Sequence, residues 1–144
     1  MLVSQILRSK TQGGVITVAP GSSLAEAAQV LSERKIGAVI VSEDGRHAVG
    51  ILSERDIVRE LGKRGAACLN DKVDGVMTSR LISCESTDRA RDVLQKMTDG
   101  RFRHMPVVEG GVMVGMISIG DVVKARLEEL HAQKDALEGM IKGF

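Results

Sequence analysis

The chain's 144 residues, 43% hydrophobic and 27% charged, suffice for one compact core or two small halves sharing one. Its 20 basic and 19 acidic residues leave a net charge of +1, which gives no field to recruit nucleic acid or an acidic membrane. Phe102 and Phe144 are its aromatic residues, and that excludes a stacking platform for single-stranded nucleic acid.

In chain order, the opening MLVSQILRSKTQ has a short apolar run without the long apolar core of a signal peptide. Leu2, Ile6 and Leu7 give it one face to pack back on the folded body. VITVAPGSSLAEAAQVL (15–31) reads as a strand and an amphipathic helix, with Leu24, Ala27, Ala28 and Leu31 at i, i+3, i+4 and i+7. Ser23 with Glu26 makes a capping box for that helix. AVIVS (38–42), the Gly-bearing turn EDGRH and AVGILS (48–53) read as a hairpin, and DIVREL (56–61) begins a second helix. The connector GKRGAACLNDKVDGVMTS (62–79) carries Val73, Val76 and Met77, enough for one helical turn packing on the module.

The order then repeats. LISCESTDRARDVLQKM (81–97) lies over 15–31 at a shift of 66 and sets Ala90, Val93, Leu94 and Met97 on the same helical face. Thr87 or Asp88 can cap this helix. MPVVE (105–109), EGGV and MVGMIS (113–118) repeat the hairpin with a turn one residue shorter, and DVVKARLEEL (121–130) repeats the closing helix. Each unit is strand, helix, strand, strand, helix. Neither is large enough to bury its own sheet, so the two are expected to pack with sheets face to face about a pseudo-two-fold axis. The expected class is α/β (α+β), two βαββα repeats with extra N- and C-terminal helices. Residues 1–64 form the first repeat with the N-terminal segment. Residues 65–144 form the connector, the second repeat and a C-terminal helix. The tail carries an apolar stripe, Leu127, Leu130, Leu137, Met140 and Ile141, which folds back on its own core or crosses to another subunit; the second is favoured.

Two constellations carry chemistry. Ser-x-x-Asp opens each closing helix, as Ser53–Asp56 and Ser118–Asp121. This is a helix capping box, and it also suits a nucleotide: a helix N-terminus attracts phosphate, and a carboxylate is a double acceptor for vicinal hydroxyls. Gly50 and Gly115, three residues earlier, are not required by a cap. The second is GRFRHMPVV (100–108), where Arg103 and His104 align with the uncharged Gly37 and Ala38. Guanidinium binds phosphate bidentately, so the two repeats differ where a phosphate would sit. Gly120 likewise stands where the first repeat has Arg55.

Nothing else points to chemistry. Cys68 and Cys84 form no CxxC and lie near no His pair, so they read as free thiols of a reducing compartment. His47 and His131 read as surface residues. No apolar stretch approaches the roughly 20 residues of a membrane span, so the protein is expected to be soluble and cytoplasmic. There is no GxGxxG, no GxxxxGK[ST] and no nucleophile spaced with its base, which argues against an enzyme such as a nucleotide hydrolase.

Taken in order, VITVAPGSSLAEAA, IGAVIVSEDGRHAVGILSERDIV, VMTSRLISC, RHMPVV and GMISIGDVV resemble the CBS domain, and the tandem resembles a stand-alone Bateman module of bacterial type, over roughly residues 1–130. The resemblance implies a non-enzymatic regulatory module that binds AMP, ADP, ATP or a related adenosyl ligand such as NAD in clefts between paired repeats. It also implies a homodimer formed through helices and an effector protein as partner. Carried over residue by residue, the first cleft takes Thr17, Ile36, Gly37 and Ala38 around adenine, with Arg103, His104, Ser118, Gly120 and Asp121 on phosphate and ribose. The second takes Ser83, Phe102 and His104 around the base, with Ser53, Arg55 and Asp56 opposite. The first cleft is the better equipped for AMP. The rival reading is a structural dimer or scaffold in which both Ser-x-x-Asp motifs serve only as caps.

Overall fold

The computed structural model describes residues 1–10 and 14–142; Phe144 lies outside them. They form two compact units. One holds residues 14–82 and 110–114, the other residues 1–10, 83–109 and 115–142. The N-terminal segment therefore groups with the second repeat and the connector with the first, whereas the sequence pattern places residues 1–64 together and the connector with the second repeat.

In the first unit, β1 (Thr17–Val18) runs parallel to β2 (Ala38–Val41), with Thr17 opposite Ile40 and Val18 opposite Val41. The intervening α2 (Leu24–Arg34) makes the crossover. β2 then pairs antiparallel with β3 (Gly50–Ser53), Ala38 opposite Ser53 and Val41 opposite Gly50. All four residues of β2 are buried, so this central strand is a continuous apolar run rather than an alternating one. Ser23 Oγ accepts the Glu26 N–H at 3.1 Å, the half of the expected capping box that forms. In the turn after β2, Asp44 accepts the N–H groups of Arg46 and His47, and its second oxygen bonds the exposed His47 ring at 2.6 Å. α3 (Glu54–Arg64) closes the unit. The connector makes two 3₁₀ turns, Gly65–Asn70 and Val73–Gly75, in place of one helical turn. Cys68 and Val73 enter the core with Leu24, Val39 and Leu52, and Val76 and Met77 pack against it.

The second unit repeats this plan with one loss. The expected first strand reduces to a single parallel bridge, Cys84 to Val107, held by Cys84 N–H to Pro106 O at 3.0 Å and Val108 N–H to Cys84 O at 2.8 Å. Proline is the reason. In the first repeat the Ile40 N–H donates to Ile16 O at 3.2 Å. The matching donor would be residue 106, whose ring nitrogen carries no hydrogen, so the ladder cannot extend to Ile82.

α4 (Ala90–Gly100) begins without a side-chain cap, because Arg89 stands at the position of Ser23. Neither Thr87 nor Asp88 caps it. Asp88 instead accepts the Glu85 N–H at 2.8 Å, and the Ala90 N–H is taken by Met1 O at 2.9 Å. β4 (His104–Glu109) and β5 (Val112–Ser118) form a hairpin whose turn residues, Gly110 and Gly111, both have positive φ, as the two-residue turn requires. α1 (Val3–Ser9) packs Val3 and Ile6 among Val93, Met97, Met105 and Ile117, with Leu7 against them; Leu2 stays exposed. Burial raises the Cys84 thiol to about 11, with the nearby Asp88 charge adding to the effect. α5 (Ile119–Ile141) buries Val122 and Ala125 near its start and continues as one helix past the repeat. The tail does not fold back on the core: Leu127, Leu130, Leu137, Met140 and Ile141 are all exposed. Among the described residues no helix is long and apolar enough to cross a membrane.

Candidate functional site

Each closing helix starts with the same local machinery. Ser53 is the N-cap of α3. Its Oγ accepts the Asp56 N–H at 3.3 Å, and its own N–H donates to Asp56 Oδ2 at 2.9 Å. Ser118 does the same for α5, with Asp121 N–H to Ser118 Oγ at 3.2 Å and Ser118 N–H to Asp121 Oδ2 at 2.8 Å. Both expected boxes are complete. The first helical N–H is also taken identically in each unit: Glu54 N–H donates to Gly37 O at 2.9 Å, and Ile119 N–H to Arg103 O at 2.8 Å. These bonds confirm that Gly37 and Arg103 occupy equivalent places.

Thus the first unit gathers Ile36, Gly37, Ala38, Ser53 and Asp56 at one helix mouth, with Thr17 on the neighbouring strand of the same sheet. Ala38 is buried, Ile36 and Gly37 are half-buried, and Arg55 is exposed. Asp56 also accepts from Arg59 at 3.3 Å on its second oxygen. The second unit gathers Arg103, His104, Ser118, Gly120 and Asp121. Arg103 is exposed, and half-buried His104 opens β4. Phe102 packs at the edge of that unit's core with its ring over Gly100, and exposed Ser83 immediately precedes the Cys84 bridge. A β-carbon at Gly120 would meet nothing closer than Ser118 Oγ at 3.6 Å, so packing does not demand glycine there.

The glycines before each box have a structural cause. A β-carbon at Gly50 would lie 2.3 Å from Met77 Sδ, and one at Gly115 would lie 2.7 Å from Leu7 Cδ2. In each unit a side chain from the flanking segment crosses over the strand at this point. Close packing, not ligand contact, accounts for both.

One residue escaped the sequence reading. Lys10 Nζ lies 2.9 Å from Asp121 Oδ2 and donates to Met116 O at 2.9 Å. No local pattern marks it, since the contact depends on α1 docking beside β5. Burial alone would raise the Asp121 carboxyl, but the Ser118 N–H and the Lys10 ammonium outweigh it and hold the group below the ordinary carboxylate range. The mouth of α5 therefore combines a fixed carboxylate, a hydroxyl, a helix N-terminus and the Lys10 ammonium, with exposed Arg103 bonded to the helix start through its main-chain carbonyl, a set suited to a phosphorylated polyol. Among the described residues no cluster of three or more His, Cys, Asp or Glu could hold a metal ion.

The CBS domain family matches the chain twice, over residues 3–63 and 73–128. A mitochondrial CBS domain-containing protein of Arabidopsis thaliana is 30% identical over 98% of this chain and 72% of its own length. The crystal structure of a CBS-domain containing protein from Agrobacterium tumefaciens is 42% identical, with a TM-score of 0.82 over 88% of this chain and 99% of that one. A CBS domain protein from Pyrobaculum aerophilum complexed with AMP is 26% identical, with a TM-score of 0.78 over 92% of this chain and 99% of that one.

Proposed function

We propose that this chain, which belongs to the CBS-domain family, is a regulatory module that binds AMP or a related adenosyl ligand and modulates a partner protein. The observation that carries the reading is the gathering of Lys10, Arg103, Ser118 and Asp121 at the start of α5. The AMP complex of the Pyrobaculum relative supports the same ligand class. Arg103, with Ser118 and the helix N-terminus, takes the phosphate, Asp121 takes the ribose hydroxyls, and His104 lines the same mouth.

A second site of the same design uses Ser53, Arg55 and Asp56. Its helix start carries Gly37 and Ala38 where the other has Arg103 and His104, and it is the weaker for AMP; a larger adenosyl compound such as NAD is its alternative. Ligand acts on the partner protein only through unequal affinity for two states of the module. Two copies associate through their helices.

Calorimetry with AMP, ATP and NAD on wild type and Asp121→Asn tests this. AMP binding in the micromolar range, weakened at least tenfold by the substitution, is expected from loss of charge-assisted hydrogen bonds worth ~1.5–3 kcal/mol. Binding of none of the three below millimolar overturns the reading. The competing view, a scaffold whose boxes are only caps, is favoured by one observation: both boxes satisfy themselves without a ligand. It expects Asp121→Asn to alter stability alone.

A further inference from the structure

Among the described residues nothing packs on the exposed half of α5. From His131 to Lys142 every residue except Gly139 is exposed, and Lys134 to Glu138 at 3.8 Å is the side-chain pair within that stretch. A helical segment with nothing packed on it is marginal in water, because most helical stability comes from burying one face. The apolar face here has a definite period. Val123, Leu127, Leu130, Lys134, Leu137 and Ile141 alternate spacings of four and three, the a and d positions of a heptad repeat. Five of the six are large apolar side chains, with Leu137 58% and Ile141 84% exposed.

The charges choose the occupant and its direction. In a parallel pair, Lys134 would face Lys134 of the second copy inside the seam, an unfavourable juxtaposition of like charges. In an antiparallel pair, a positions meet d positions. Val123 then layers on Ile141 of the second copy, Leu127 on Leu137, and Leu130 on Lys134, whose stem covers the leucine while its ammonium reaches water. The flanking positions then oppose Lys124 with Glu138 of the second copy, twice over by symmetry.

We infer that residues 123–141 of α5 form an antiparallel two-helix seam with the same segment of a second copy. This rests on the homodimer proposed above and names its surface and direction.

Sedimentation equilibrium tests the charges. Lys124→Glu is expected to weaken the dimer by about tenfold, since it makes two attractive pairs repulsive. Lys124→Glu combined with Glu138→Lys is expected to restore it. Spin labels on otherwise wild-type protein test direction. Labels at Lys142→Cys should sit ~30 Å apart, because that site lies opposite residue 122 at 1.5 Å rise per residue. Labels at Gln133→Cys, which flanks the seam beside the two-fold axis, should be much closer. A short Lys142→Cys distance, a long Gln133→Cys distance, or a dimer indifferent to the charge swap overturns the antiparallel seam and leaves the homodimer standing. A chain that stays monomeric at high micromolar concentration overturns both.

Discussion

Gly50 is the position where the structure makes its sharpest steric demand. An alanine β-carbon there would stand 2.3 Å from Met77 Sδ, 2.7 Å from its Cγ and 3.2 Å from its Cβ, against a contact optimum of roughly 3.5–4.0 Å. The sulfur can swing aside, but the Met77 Cβ cannot. Its backbone is fixed by Met77 N–H to Val73 O at 2.8 Å and by the paired bonds between Thr78 and Ile51 at 2.9 Å. Overpacking of this kind costs about 1–3 kcal/mol. Replacing glycine recovers about 0.5–1 kcal/mol by restricting the unfolded chain. Gly50→Ala should therefore destabilise by up to about 2.5 kcal/mol, read as a lower urea midpoint at unchanged m-value. The decisive measurement is the cycle with Met77→Ala, which removes Sδ and Cγ, the two closest colliding atoms, and leaves only the Cβ contact at 3.2 Å. The double variant should be more stable than the sum of the single losses by about 1 kcal/mol, well beyond the ~0.3–0.5 kcal/mol scatter of independent sites. Additive effects within that scatter would refute the steric account of Gly50 and return the glycine to ligand contact.

Two further outcomes follow from the mouth of α5. Asp121 has a folded value below its unfolded one. Its charge therefore stabilises the fold above the unfolded carboxylate range (~3.9), and that contribution is lost as pH falls through the lower folded value. Acid titration of stability should be shallower in Asp121→Asn than in wild type, and identical curves would contradict the Lys10 and Ser118 contacts. Lys10 itself separates nucleotide from nucleoside. A ribose that takes Asp121 displaces the ammonium, and a phosphate can receive it whereas adenosine cannot. Lys10→Met should weaken AMP by about three- to tenfold and leave adenosine unchanged in calorimetry; equal losses for both would remove Lys10 from the phosphate's surroundings.

What the sequence disclosed was whatever depends on short-range period. The helical faces at 24–31 and 90–97, the hairpins and both Ser-x-x-Asp boxes formed where the pattern put them, because each needs only neighbours within about four residues. What it missed depends on partners remote in the chain. The Ala90 N–H goes to Met1 O, nearly 90 residues away, as the Leu24 N–H goes to Asp71 O, and Arg89 offers no side-chain cap. Lys10 reaches Asp121 only because α1 docks with the second repeat, and the same docking moves the N-terminal segment out of the unit it precedes. The shortened strand at Cys84 was legible in principle. Pro106 stands where Ile40 donates, but that consequence appears only when the two repeats are compared bond by bond.

That comparison also changes what the duplication means for the proposed site. The two units share the box, the helix-start bond to residue 37 or 103, and the crossing side chain over the glycine. These common features are all accounted for by folding: caps, main-chain satisfaction and close packing. Chemistry has to be sought in what differs. At the α3 mouth the carboxylate is met by Arg59 of its own helix, an exposed pair one turn away that contributes little. At the α5 mouth it is met by Lys10 from another element, while Arg103 replaces Gly37 and Gly120 leaves open the space where Arg55 stands. Arg103 and Gly120 improve neither the cap nor the core, whereas Lys10 also holds the capping carboxylate. The three differences concentrate positive charge and free volume at one helix start, which is where an anionic ligand gains the most.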